Sequence, residues 1–178
     1  MLIYLDANIV QYCAEKEKGD FIFGDTRTNP VTEPKLAKEL DALRRLVELE
    51  QLGDWTFAAP SHLVNELLAG EPNSERHRVY KILLEAWQES AWNEFLETSE
   101  DKILSIYDSL RPLKLKGAAD QRHLAEAIAL NASWFLTNDR EVIRKTRARG
   151  QSISQVGHVR VARPSECIEE ISVGLFLR

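Results

Sequence analysis

Cysteine is nearly absent from this chain of 178 residues: Cys13 and Cys167 stand far apart, with no Cys-x-x-Cys pair and no Cys/His spacing of the kind that holds zinc. That argues against a disulfide framework or a structural zinc site and for a reduced, cytoplasmic setting. Long apolar runs are missing too. No stretch approaches the roughly eighteen consecutive apolar residues that cross a bilayer, and the N-terminus opens directly into a short apolar run instead of a basic region and signal core. The expectation is neither export nor membrane insertion. Nor is there a surplus of positive charge: 23 Lys and Arg stand against 28 Asp and Glu, a net charge of -5. This is awkward for a nucleic-acid binder, whose phosphate affinity usually comes from Lys and Arg. Internal repeats, low-complexity tracts and linkers are lacking as well. With 44% hydrophobic and 29% charged residues, the composition suits one folded domain spanning 1–178.

Against these absences stand four acidic residues in uncommon places. Leu2-Ile3-Tyr4-Leu5 and Trp134-Phe135-Leu136-Thr137 are short, uninterrupted apolar runs that read as strands buried on both faces. Each ends in a polar group, Asp6-Ala7-Asn8 in the first case and Asn138-Asp139 in the second. In an open α/β sheet, ligands bind in the crevice beyond the carboxyl ends of the strands, so Asp6 and Asp139 are expected on that edge. Asp120 stands one turn before Leu124 on the face marked by Leu124, Ala127 and Ile128, in a helix entered from Gly117. Glu66 has Leu63 three residues before it and Ala69 three after. Both carboxylates are thus expected to point inward, where an unpaired ion costs several kcal/mol unless a partner or a metal compensates.

Between these points, helical and strand patterns alternate. A helix is expected from Ala7 to about Glu17, then an irregular segment over Gly19 to Pro30, and a helix after Pro34 whose Leu36, Leu40, Leu43, Leu46 and Val47 form a core stripe. Trp55-Thr56-Phe57-Ala58-Ala59 reads as a strand. Ser61 is the expected cap of the Glu66 helix, which Gly70 and Pro72 close. A long helix around Arg76 to Glu94 with Trp87 and Trp92, a short strand within Asn93 to Thr98, and a Ser99-capped helix to Leu110 follow. A helix over Glu141 to Arg149, a strand over His158 to Ala162 and a helix begun by Pro164 complete the order. Strand and helix in alternation argue a parallel sheet with helices around it.

The motifs Tyr4-Leu5-Asp6-Ala7-Asn8, Asn65-Glu66-Leu67, Asp120-x-x-His123-Leu124-Ala125-x-Ala127 and Phe135-Leu136-Thr137-Asn138-Asp139, in this order, resemble the PIN-domain nucleases, which include the VapC-type toxins of bacterial toxin-antitoxin pairs. The tail Val161-Ala162-Arg163-Pro164-Ser165-Glu166 looks like that family's closing strand and last helix. The resemblance implies a three-layer α/β/α PIN-like domain with a central parallel sheet, a Mg²⁺ or Mn²⁺ site, and hydrolysis of RNA phosphodiester bonds. It assigns Asp6, Glu66, Asp120 and Asp139 as the catalytic, metal-holding acids, with Asn8 and Asn138 as their frequent polar neighbours; on their own chemistry Asn8, Thr137 and Asn138 are supporting polar residues that either orient ligands or phosphate or satisfy turn backbone. An antitoxin partner and a homodimer follow as further expectations. The chain departs from the small toxins in an extra segment over about 15–34 and in the long Trp-containing helix, and both put the toxin role in question more than the chemistry.

Other readings remain open on sequence alone. Asp6 and Asp139 could each do no more than cap a helix, Glu66 could be exposed or paired, and Asp120 could serve the helix dipole. His123 reads as a core residue or one that supports a ligand. Arg140, Arg144 and Lys145, with Arg147 and Arg149, form either a rim for RNA phosphates or a solvated helix end; Arg111, Lys114 and Lys116 precede Asp120. A PIN-like domain that binds RNA or a protein without cutting is the alternative function. A phosphatase with Asp6 as nucleophile is disfavoured, because residue 8 is Asn and the usual Asp-x-Asp pair is missing.

Overall fold

The computed structural model describes residues 1–11, 34–50, 56–58, 61–69, 81, 98–147 and 154–176. The expectations for the rest of the Ala7 helix, for the 15–33 segment, for Trp55 and for the helix carrying Trp87 and Trp92 lie outside the described residues.

Alternating strands and helices run along the chain. Strand β1 (Leu2–Leu5) leads into a helical segment at 7–11, then come helix α1 (Pro34–Glu50), β2 (Thr56–Ala58) and α2 (Ser61–Leu68). Helix α3 (Glu100–Ser109), a 3-10 turn at Arg111–Leu113, α4 (Ala118–Ala129), β3 (Trp134–Leu136) and α5 (Arg140–Thr146) follow. A hairpin of β4 (Ser154–Val156) and β5 (Val159–Ala162) precedes α6 (Pro164–Phe176).

The five strands form one sheet in the order β2-β1-β3-β5-β4. β1 pairs in parallel with β2 and β3, and β3 in parallel with β5. Among the described strands only the edge strand β4 runs antiparallel, paired with β5. The sequence does not announce β4, because Ser154-Gln155-Val156 carries no apolar run; it exists through a tight turn at Gly157, whose φ of 60° is a left-handed conformation that glycine adopts without a Cβ penalty.

Strand alternation builds the layers. Ile3, Leu5, Trp134 and Leu136 face Leu40, Leu43 and Leu46 of α1, Leu63 and Leu67 of α2, and Cys167 of α6. On the other face Tyr4, Phe135, Val159 and Val161 pack on Ile103 of α3, Leu124 and Ala127 of α4, and Val142 of α5. With both faces covered, side chains of either parity along β1 and β3 are buried, which is why these strands read as continuous apolar runs. The result is the expected three-layer α/β/α fold with a largely parallel sheet. Among the described residues no helix is long and apolar enough to cross a membrane.

Local signals set several element ends. Ser99 accepts a hydrogen bond from the Lys102 amide and caps α3, and Gly117 precedes α4. Ser61, expected as a cap, is instead the first residue of α2. Most consequential for a site is the strand order. From β1 the chain moves to β2 on one side and later to β3 on the other, so the sheet has a topological switch point between β1 and β3. Beyond their carboxyl ends such a sheet opens a crevice.

Candidate functional site

At that switch point the ends of β1 and β3 are tied by side chains. The Asp6 amide donates to the Leu136 carbonyl at 3.0 Å, extending the strand pairing by one residue. Beyond it, Thr137 Oγ1 donates to Asp6 Oδ2 at 2.6 Å and accepts from Asn8 Nδ2 and from the Asp139 amide, each at 3.0 Å. One donated proton and two accepted ones use the full capacity of a hydroxyl. Asn8 Nδ2 also donates to Asp6 Oδ2, and Asn8 Oδ1 accepts from the Asn138 amide at 3.0 Å. Thus Asn8 and Thr137 hold Asp6, and the Asn138 amide holds Asn8. The Asn138 side-chain oxygen is buried without a hydrogen-bond partner among the described residues, an oxygen donor left open beside Asp139.

Asp6 is 2 % exposed. Burial raises its carboxyl from the usual 3.8 to about 6; Asp120 adds to the rise, while Thr137, the charge of His123 and the Ala7 amide work against it. Asp139 caps α5: its Oδ1 accepts from the Glu141 amide at 2.6 Å and the Val142 amide at 3.2 Å, and Oδ2 takes part in neither bond. The capping role of Asp139 is therefore real, and it occupies one of two oxygens.

Asp120 lies in the first turn of α4 and Glu66 on α2, and neither points into the core as the sequence pattern suggested. Asp120 is half-buried, its carboxylate folded back toward Gly117, where a methyl group would meet Oδ2 at 2.5 Å. Glu66 lies on an open flank of α2, its side chain 34% exposed. Asp120 is nevertheless the acid to which the other three are electrostatically joined. Its carboxyl is raised first by burial, then by the charge of Asp139, with Glu66 and Glu141 adding to the rise and His123 opposing it, and Asp120 in turn raises Asp6. Asp6 and Asp139 follow the ends of β1 and β3, and Asp120 is the acid that links them to Glu66 electrostatically.

Behind Glu66 runs a buried polar chain that the sequence did not reveal. His123 Nε2 is 2.7 Å from Glu66 Oε2, and His123 Nδ1 is 2.8 Å from the Tyr4 hydroxyl. Tyr4 donates to Glu126 Oε2 at 2.8 Å. Glu126 Oε1 accepts from Arg122 Nε at 3.2 Å, and the Arg122 guanidinium holds Glu100 through two bonds of 2.6 Å. Burial, with the Glu126 charge and hydrogen bond next, pushes the Tyr4 hydroxyl well above the usual phenol range, so it stays protonated. The available signal was Glu126 three residues after His123, on one face of a helix whose neighbours are apolar.

The basic residues after Asp139 divide. Arg140 and Arg144 are exposed, and no described residue pairs with either. Lys145 is held by Glu141 Oε1 at 2.7 Å and by the Lys114 carbonyl, and Glu141 also meets Lys116 at 3.3 Å. The Lys145 hydrogen bond, with Lys116 behind it, holds the Glu141 carboxyl below its ordinary value, so Glu141 arrives at this edge already paired.

Among the described residues no three His, Cys, Asp or Glu side chains lie close enough to grip one ion together. The donor set nonetheless fits a hard divalent cation. It consists of carboxylate oxygens that raise one another's affinity for protons, with the open Asn138 oxygen beside them, and Mg²⁺ takes only one or two carboxylates directly while keeping several waters. Among the described residues a soft metal finds no ready thiolate, because Cys167 is buried in the core beneath α6 and its thiol is pushed up by burial.

No family model matches the chain, and no curated protein matches it. Among solved structures the chain is similar to one in the crystal structure of VapBC2 from Rickettsia felis bound to a DNA fragment from their promoter. The two share 23% sequence identity at a TM-score of 0.49, over 78% of this chain and 88% of that one.

Proposed function

We propose that the chain is a metal-dependent endoribonuclease whose Asp6, Glu66, Asp120 and Asp139 hold Mg²⁺ or Mn²⁺ at the switch point between β1 and β3. One observation supports the reading most: Asp120 is coupled electrostatically to Asp139 and Glu66, and Asp6 to Asp120, as expected of acids that share one site. The ordered sequence motifs support the same chemistry. A divalent ion bound there supplies charge neutralisation on the phosphoryl oxygens and a water made nucleophilic near neutral pH.

The chain's own residues fix the geometry. Thr137 and Asn8 hold Asp6 Oδ2, so this carboxylate meets a ligand with its other oxygen, Oδ1. Asp139 is anchored through Oδ1 to the start of α5, which leaves Oδ2 for the crevice. Exposed Arg140 and Arg144, one and five residues further on, are the residues this reading assigns to the RNA backbone, since each phosphate contact by a cation releases a condensed counterion. The finer reading is a toxin held by an antitoxin.

Structured and unstructured RNA incubated with the purified protein and Mg²⁺ or Mn²⁺ is expected to be cut, and EDTA to stop it. Asp6→Asn and Asp120→Asn are expected to lower cleavage by at least about 100-fold, the upper end of what losing an outer partner of a metal ligand costs. Cleavage that survives EDTA or persists in both variants overturns the reading, and RNA retained without cleavage assigns the non-cutting alternative. Growth arrest on expression, relieved by a neighbouring gene, tests the toxin role.

A further inference from the structure

Glu66 presents a problem of order. It is the most exposed of the four acids, and a glutamate side chain has three rotatable bonds whose restriction opposes binding. Its side-chain hydrogen bond among the described residues goes to His123, a ring 1 % exposed. An imidazole presents Nε2 in a fixed direction only if Nδ1 is held as well, and the Tyr4 hydroxyl holds it. The Tyr4 ring stacks on Phe135 with centroids 5.5 Å apart, inside the core and on a strand paired on both sides, so the sheet sets its position. Glu126 orients the Tyr4 hydroxyl, and the Arg122–Glu100 pair orients Glu126.

We propose that Glu126 and Tyr4 act through His123 as positioning residues, a rigid brace that holds the Glu66 carboxylate where a divalent cation can use it. This rests on the nuclease reading of the site. The brace extends the site's support across the core, from the sheet edge to the surface of α3, through residues that touch neither substrate nor metal. Outer partners of metal-ligating groups have a characteristic effect: their loss weakens metal binding by about 10- to 100-fold.

The test measures Mn²⁺ affinity of the full chain by electron paramagnetic resonance for the wild type, Tyr4→Phe, Glu126→Gln, Glu66→Gln and the Tyr4→Phe/Glu66→Gln double variant. Tyr4→Phe is expected to weaken binding by about 10- to 100-fold, and Glu126→Gln by less, because an amide still accepts the phenol proton. A brace that works only through Glu66 predicts no further loss when Tyr4→Phe is added to Glu66→Gln, whereas a general structural role predicts losses that add. Affinity unchanged in Tyr4→Phe, or additive losses in the double variant, overturns the brace and leaves the nuclease reading standing. A wild type that binds no Mn²⁺ overturns both. If Tyr4→Phe does not fold, as judged by circular dichroism, Glu126→Gln with Glu66→Gln forms the same cycle and decides it.

Discussion

Two carboxylates lie inside this molecule at nearly equal depth, Asp6 at 2 % and Glu126 at 3 % exposure, and their surroundings are opposite. Glu126 meets a guanidinium on one oxygen and a phenol on the other. Asp6 meets neutral donors, Thr137 and Asn8, and beyond them the charge of another acid, Asp120. The first carboxylate is completed by the chain itself. The second has no cation in contact with it among the described residues, and burial, with the charge of Asp120 behind it, raises its carboxyl to about 6. A buried acid that the fold completes belongs to the scaffold, and one that the fold leaves incomplete is the natural candidate for the outside cation of the proposed site.

The contrast can be broken from either side. Removing the cation beside Glu126, with Arg122→Met, leaves a buried charge with only the phenol. It is expected to destabilise the protein by about 3–5 kcal/mol, the range for breaking a buried pair, read by urea unfolding. At Asp6 the sign reverses. Its folded carboxyl holds a proton more tightly than the unfolded one, so the metal-free protein loses stability as pH rises from about 4 through about 6, and the loss persists above that. The shift corresponds to at most about 3 kcal/mol. In EDTA at pH 7, Asp6→Asn is therefore expected to melt above the wild type, and the difference to vanish by about pH 4. Millimolar Mg²⁺ at pH 7 is expected to raise the wild-type melting temperature and to leave Asp6→Asn nearly unmoved.

A smaller effect sharpens the comparison at Asp120. Gly117→Ala places a methyl group against Asp120 Oδ2 and must shift that carboxylate without deleting it. Because Gly117 has an ordinary φ of -88°, the backbone accepts alanine, and loss of the preferred cap residue costs a few tenths of a kcal/mol to about 1 kcal/mol. RNA cleavage is expected to fall by about 10-fold with little change in melting temperature. Full activity in this variant would show that the position of the Asp120 carboxylate does not matter.

Much of this was legible in the sequence, for reasons that differ by region. β1 and β3 were visible because both faces are buried, and the position of Asp6 and Asp139 past their ends followed at once. The Ser99 cap and the glycine before α4 are local signals, and local signals survive in sequence. β4 was invisible because three mixed residues become a strand only through the Gly157 turn and pairing with β5. Glu66 and Asp120 were expected to face inward. Helical spacing fixes an angle around the axis only to within a flank, and Asp120 turns its short side chain back on Gly117. The link from Tyr4 to Glu126 joins residues 122 positions apart, and no short-range pattern encodes it.

The oxygen of Thr137 has one further consequence. With every valence engaged by Asp6, Asn8 and the Asp139 amide, it rivets the tips of two neighbouring strands into a single jaw. Through that one hydroxyl the Asp6 carboxylate and the residue that caps α5 share a common hydrogen-bond partner.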